Sequence, residues 1–328
     1  MKEENNIENL LEVRNLQVEF ATRQGHMHAV RGVNFSLKKG EILGLVGESG
    51  CGKSVTANSL LGLVGKKKHE KVTGEAWFHG ENILDKPEKE QQKLRGNKIA
   101  MIFQDPMTSL NPVLKVGRQV GEVLEIHQKK KKQDALEEAI IQLQKVGIPS
   151  AKERAEDYPF QFSGGMRQRA IIASSLMCQP EILIADEPTT ALDVTIQAQI
   201  LDLLRELRDT YKVAILLITH DLGVVAELCD TVAVMYAGEI VEKASAGELF
   251  SHPLHPYTKG LMACVPVLGR KEKLIPIPGQ PPKLYEEKAG CQFADRCPKR
   301  RPECSRDTSL LEIAPGHYVS CKEVGRIG

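Results

Sequence analysis

Gly47-Glu48-Ser49-Gly50-Cys51-Gly52-Lys53-Ser54 fits the pattern G-x-x-x-x-G-K-[ST], in which glycines let backbone N–H groups curl around phosphate oxygens. Its flanks are what such a loop needs. Before it stands an unbroken apolar run, Ile42-Leu43-Gly44-Leu45-Val46, expected of a strand buried on both faces of a parallel sheet. After it, Lys53–Leu63 predicts a helix whose N-terminus adds the positive end of its dipole. Lys53 is then placed to neutralise β- and γ-phosphates, and the Ser54 hydroxyl to complete Mg2+ coordination. Cys51 occupies a free position of the pattern and is assigned no chemistry of its own.

Outward from the loop, Leu11–Phe20 and Ala29–Leu37 alternate apolar and polar residues like half-exposed strands. Further buried runs stand at Ile99–Phe103, Ile182–Ala185 and Val213–Thr219. Helical stretches at Met166–Cys178 and Thr195–Thr210 alternate with them, which predicts an α/β fold with a mainly parallel sheet. Residues of about 105–165 are polar, Lys/Glu-rich and helically periodic in Val116–His127 and Gln133–Val146, so an inserted helical subdomain is expected there. Beyond about residue 240, prolines at 253, 256, 266, 276, 278, 281 and 282 argue against long regular elements. The expected division is therefore 10–250 and a loop-rich C-terminal extension, 251–328.

The 328-residue chain is 41% hydrophobic and 27% charged, the balance of a globular protein able to bury a substantial core. Its 44 Lys and Arg against 43 Asp and Glu leave it nearly neutral, which speaks against a surface built throughout for nucleic acid. Lys66–Lys68 and Lys129–Lys132 read as solvated charge runs. No stretch reaches the roughly 18 apolar residues of a membrane-crossing helix, and Met1–Asn6 lacks the apolar core of a secretory signal. A cytoplasmic location is expected, where thiols favour metal binding or burial over disulfides.

Ile182-Leu183-Ile184-Ala185 runs into Asp186 and Glu187. Two adjacent acids suit phosphoanhydride hydrolysis: Asp186 reaches Mg2+ and Glu187 polarises the attacking water. Upstream, Phe162-Ser163-Gly164-Gly165-Met166 offers a hydroxyl and glycine amides at a helix N-terminus, a second anion site. Taken with the phosphate loop, this stretch resembles the Leu-Ser-Gly-Gly-Gln signature of ABC ATPases, from which Phe162 and Met166 depart. The resemblance implies an ABC-type P-loop NTPase: a parallel-sheet core with an antiparallel β subdomain and the inserted helical one. It makes Gln104 the γ-phosphate-sensing glutamine, Ala191-Leu192-Asp193 the D-loop, and His220 the switch histidine. Phe20 resembles the aromatic that stacks on adenine, although a strand phenylalanine is as readily core. It further implies a sandwich of two ATPase subunits, in which Ser163, Gly164 and Gly165 act on the partner's ATP.

Phe250-Ser251-His252-Pro253-Leu254-His255-Pro256-Tyr257-Thr258, with Gln104–Pro112, resembles the D-type ATP-binding subunits of peptide and nickel importers. That resemblance implies a second, related ATPase as heterodimer partner, two transmembrane permease subunits, and an extracytoplasmic peptide-binding protein acting indirectly. It places the chain peripherally on the cytoplasmic face of the membrane. Oligopeptide or dipeptide uptake is the leading expectation. A nickel or other small-solute importer is the alternative, and a soluble non-transport ABC ATPase a distant one, opposed by the single phosphate loop. The pair His252 and His255 reads as part of a rigid connection rather than a metal clip.

Cys291, Cys297, Cys304 and Cys321 are separated by five, six and sixteen residues among loop formers. Four thiolates could hold a [4Fe–4S] cluster or zinc, or remain free or paired thiols. The missing Cys-x2–4-Cys knuckle disfavours zinc, Cys297-Pro298 suits a cluster, and the family resemblance implies an iron–sulfur cluster. Cys178, Cys229 and Cys264 read as small core residues.

Overall fold

The computed structural model describes residues 9–105, 109–190, 192–264, 276–285, 289–306 and 309–324. Pro106, Met107, Thr108, Ala191 and Pro266, which belong to stretches singled out above, lie outside them. The strands are β1 (Asn9–Thr22), β2 (Gly25–Lys38), β3 (Ile42–Val46), β4 (Glu70–Phe78), β5 (Glu81–Asn82), β6 (Ile99–Ile102), β7 (Ile182–Asp186), β8 (Ala214–Thr219), β9 (Thr231–Tyr236), β10 (Glu239–Ser245), β11 (Leu311–Ala314) and β12 (His317–Val319). The helices are α1 (Lys53–Leu60), α2 (Glu88–Leu94), α3 (Val116–Gln128), α4 (Lys132–Lys145), α5 (Ala151–Arg154), α6 (Gly164–Leu176), α7 (Val194–Tyr211), α8 (Leu222–Leu228), α9 (Ala246–Ser251) and α10 (Pro256–Ala263). They form two units, Met1–Asp85 with Ile218–Gly328, and Lys86–Leu217.

In the first unit β2, β1, β4 and β5 make an antiparallel sheet. Alternation along β1 buries Leu11, Val13, Leu16 and Val18, and a bulge between Val13 and Leu16 leaves Asn15 at φ 47°. The phosphate loop springs from β3, which is buried along its whole length and pairs parallel with β9, Leu45 opposite Ala233. Asp230 fastens that pair at its base. Its carboxylate accepts the Ile42 N–H at 2.8 Å, and its own N–H donates to the Ile42 carbonyl at 2.9 Å.

Antiparallel strands β10, β12 and β11 extend this sheet beyond β9. Their fastening is the fully buried Glu242. Its carboxylate accepts the N–H groups of Leu254 at 2.7 Å and His255 at 2.9 Å, and lies 2.8 Å from His317 Nε2. Glu242→Ala takes this acceptor from two buried groups, the His255 N–H and His317 Nε2, and from the part-buried Leu254 N–H. It should destabilise the protein by roughly 3–5 kcal/mol, read as a lowered urea midpoint.

In the second unit β6 and β7 run parallel, Ile102 opposite Ala185, with β8 on the other side of β7. Helices α3 and α4 pack on each other and on α6. The stripe Val116, Gly117, Val120, Gly121 and Leu124 is buried at helical spacing. The helices come close because a Cβ on Gly121 would stand 2.8 Å from the Ala135 carbonyl oxygen.

Candidate nucleotide site

Gly47 directly follows β3, with its α-carbon pressed against β9. A Cβ there would lie 2.1 Å from the Met235 carbonyl oxygen. Gly52 caps α1 at φ 107°. Between them the chain curls around the buried Lys53 ammonium, which donates to the carbonyls of Gly47 at 2.8 Å and Glu48 at 3.0 Å. Ser49 and Gly50 are exposed at the tip, and Ser54 is half-buried in the first turn of α1. Cys51 is buried behind the loop, and burial raises its thiol against the pull of Lys53, so it remains protonated. His220 is exposed directly after β8, and Phe20 is half-buried near the end of β1.

The acids lie in the second unit. Asp186, the last residue of β7, is buried. Glu187 follows with φ 48°, a left-handed conformation that turns its side chain away from the line of the strand. One of its oxygens, Oε2, accepts both the Gln104 amide at 2.9 Å and the Thr190 hydroxyl at 2.9 Å. Gln104 and Glu187, 83 residues apart, are thus brought into hydrogen-bond contact. Thr190 was not identified from the sequence, although a hydroxyl three residues past the acid was a signal for it.

Ser163 caps α6, its side chain accepting the Met166 N–H at 3.3 Å, and with Gly164 it is exposed. The two glycines differ. A Cβ on Gly164 would meet nothing nearer than 3.9 Å, whereas on Gly165 it would lie 2.7 Å from Ile196. Gly165 therefore also serves the packing of α6 on α7. Asp193 caps α7 by accepting the Ile196 N–H at 3.0 Å.

The cysteines of the extension correct an expectation. No group of three or more His, Cys, Asp or Glu side chains among the described residues could hold a metal ion. The [4Fe–4S] cluster expected on Cys291, Cys297, Cys304 and Cys321, with its zinc alternative, is not supported. All four are free thiols lining a cavity of about 10 Å3, the room one water molecule needs. Burial pushes Cys291 up to about 12 and raises Cys297 and Cys321 as well. Nor do the histidines form a clip. His255 is buried and pulled down to about 3, with Nδ1 accepting the Tyr257 N–H that starts α10. His252 is exposed. Of the remaining cysteines Cys229 is buried, while Cys178 and Cys264 are half-buried, so only the first is a core residue.

Sequence reasoning missed two residues that touch the loop. The Glu48 N–H donates to the Tyr257 hydroxyl at 2.9 Å, and the Arg296 guanidinium grips the Glu48 carboxylate. Tyr257 stood in the His-Pro-Tyr-Thr segment without a role; nothing in the sequence marked Arg296.

Loop, acids and signature define an ABC-type ATPase. A family model described as ABC transporter matches residues 30–190, and one described as oligopeptide/dipeptide transporter, C-terminal region, matches residues 241–304. A probable peptide ABC transporter ATP-binding protein of Sinorhizobium fredii is 53% identical over 95% of this chain and 94% of its own length. The oligopeptide transport ATP-binding protein OppD of Escherichia coli is 50% identical over 95% and 92%. Among solved structures, the ATP-binding cassette MJ0796, a dimer in a post-hydrolysis state bound to ADP and phosphate, superposes with a TM-score of 0.65 at 27% identity, covering 72% of this chain and 98% of that one. The chain belongs to the family of oligopeptide and dipeptide ABC transporter ATP-binding proteins.

Proposed function

We propose that this chain binds and hydrolyses ATP to energise uptake of oligopeptides or dipeptides. The observation that carries the hydrolytic half is the Glu187 carboxylate, fixed by Gln104 and Thr190 at the end of a buried strand. The peptide half is supported by the names of relatives at 50–53% identity.

Lys53 and the amides of Gly47–Ser54 take the triphosphate, and Phe20 stacks on the base. Ser54, Gln104 and Asp186 offer the hard oxygen donors that Mg2+ takes, and the bound ion would neutralise charge developing on the phosphates. Glu187 orients the water, His220 contacts the γ-phosphate, and Asp193 lies at the subunit boundary. Ser163, Gly164 and Gly165, exposed or next to exposed residues, act on the nucleotide of a second, related ATPase.

The working division is an ATPase domain over 10–250, with its helical subdomain at about 105–165, and an extension over 251–328. No helix among the described residues is long and apolar enough to cross a membrane. On this reading, supported by the importer relatives, two permease subunits hold the chain at the cytoplasmic face. A groove of about 570 Å3 lined by Val113, Leu114, Gly117, Leu136 and Tyr158 supports docking of a permease segment on the helical subdomain.

Reconstitution with the permease, the second ATPase and the binding protein in vesicles tests this. ATP-dependent accumulation of labelled peptide is expected. Nickel uptake in its place, or ATPase activity indifferent to peptide-loaded binding protein, would overturn it.

A further inference from the structure

The phosphate loop carries its own anion. Glu48 is the second residue of Gly47–Ser54, and an unpaired carboxylate there would repel the polyphosphate the loop is read to bind. The C-terminal residues deal with that charge. Arg296 meets the Glu48 carboxylate as a fork, Nη1 to Oε2 at 2.8 Å and Nη2 to Oε1 at 3.1 Å. The same guanidinium donates from Nε to the Pro278 carbonyl at 2.9 Å. Its remaining N–H groups reach the Tyr236 hydroxyl at 3.3 Å and the Ile277 carbonyl at 3.4 Å. All five of its donors are used, and its side chain is 6% exposed.

Glu48 is held as completely. Its N–H donates to the Tyr257 hydroxyl, its carbonyl accepts Lys53, and its carboxylate accepts Arg296. Tyr236, Tyr257 and Phe293 pack around the clamp with ring centroids 4.6–5.4 Å apart, and the Arg296 guanidinium lies 5.7 Å from the Tyr236 ring. A surface ion pair would be worth little. This one is forked, walled by aromatic rings and buried at its arginine, which stands 248 residues from its glutamate.

We infer that Arg296 and Tyr257 are positioning residues for the phosphate loop, Arg296 neutralising Glu48 and drawing its carboxylate out of the phosphate cradle, so that the C-terminal extension sets the affinity for nucleoside triphosphate. The inference rests on the reading of Gly47–Ser54 as the phosphate site. It gives the extension a task in the ATPase cycle that needs no metal. Burial of the guanidinium works against its charge, but the Glu48 carboxylate and Tyr236 hydroxyl outweigh that and raise its pKa.

The test is titration of the purified full chain with a fluorescent ATP analogue. Arg296→Met should raise Kd about 10- to 100-fold, the worth of one or two hydrogen bonds to a charged group. The double variant Glu48→Gln/Arg296→Met should recover most of that loss, because the uncompensated charge is gone. In the assembled transporter, Arg296→Met should raise the KM for ATP while kcat at saturation changes less than about threefold. A double variant no better than Arg296→Met would reduce the clamp to packing and overturn the inference, as would native affinity in Arg296→Met. If Arg296→Met does not fold, Arg296→Lys, which keeps the charge and loses the fork, carries the test, and native affinity there overturns it. Lys53→Ala separates the two readings. Loss of binding in Lys53→Ala supports the loop assignment, so a failure of the Arg296 series then falls on the clamp alone. Retained binding in Lys53→Ala refutes the loop assignment itself.

Discussion

Glu187→Gln should lower ATP turnover by the assembled transporter roughly 10²- to 10⁴-fold while ATP stays bound. The geometry makes this an unusually clean substitution. Gln104 and Thr190 both donate to the same oxygen, Oε2. A glutamine can set its amide oxygen there and keep both bonds, so that only the other carboxylate oxygen changes, into an NH2. The variant thus removes one carboxylate oxygen while keeping the side chain's shape, its bonds to Gln104 and Thr190 and the left-handed backbone at φ 48°. Release of phosphate reads the rate, and retention of labelled ATP on the filtered complex reads the trapped state. Turnover within threefold of the native rate would mean that the chemistry belongs to the partner's site. Loss of ATP binding along with turnover would point to a role for Glu187 in holding the nucleotide rather than the water.

The parts of the fold visible in the sequence are those whose cause is local. The run from Ile42 to Val46 is apolar because β3 is buried on both faces, and the loop after it needs its glycines where the backbone is crowded. The alternation around Leu11–Phe20 marked β1, and Ser163 at the head of an apolar helix marked a cap that the structure contains. What stayed hidden depends on partners far away in the chain. Strands β10, β12 and β11 are short and polar in pattern, and they hold together through Glu242 and His317, 75 residues apart. Arg296 reads as one more surface charge until it is seen at Glu48. The double glycine of the signature was read as an anion site alone, whereas Gly165 is also explained by the approach of Ile196. The cysteines misled for a related reason. Four cysteines in a loop-rich stretch suggest a metal by residue type alone, but holding a cluster takes room, and the cavity these four line is only about 10 Å3.

Gly52→Ala should abolish measurable ATP binding, a loss of more than about 100-fold, whereas Gly50→Ala should cost less than about tenfold. Both residues have positive φ, 107° and 79°, so both substitutions carry the backbone strain of roughly 1–2 kcal/mol that an L side chain incurs there. They differ in surroundings. A Cβ at Gly50 meets nothing within 4 Å, while at Gly52 it falls 2.3 Å from the Ala29 carbonyl oxygen and 2.8 Å from Met235 Cε. The methionine end can swing aside. The Ala29 carbonyl cannot, since it belongs to β2, whose neighbours Val30 and His28 are paired with Val18 and Glu19 of β1. The relief must therefore come from the loop, and Gly52 is also the cap of α1, whose carbonyl accepts the Thr56 N–H at 2.9 Å. Moving it displaces Lys53 and Ser54, the residues assigned to phosphate and Mg2+. A shift near 1 Å at such a site costs on the order of 10²-fold. Equilibrium titration with the fluorescent ATP analogue, beside thermal melts of both variants, separates crowding from strain. Similar melts with unequal affinities would place the effect in the loop, and native affinity in Gly52→Ala would remove Gly47–Ser54 from the nucleotide site.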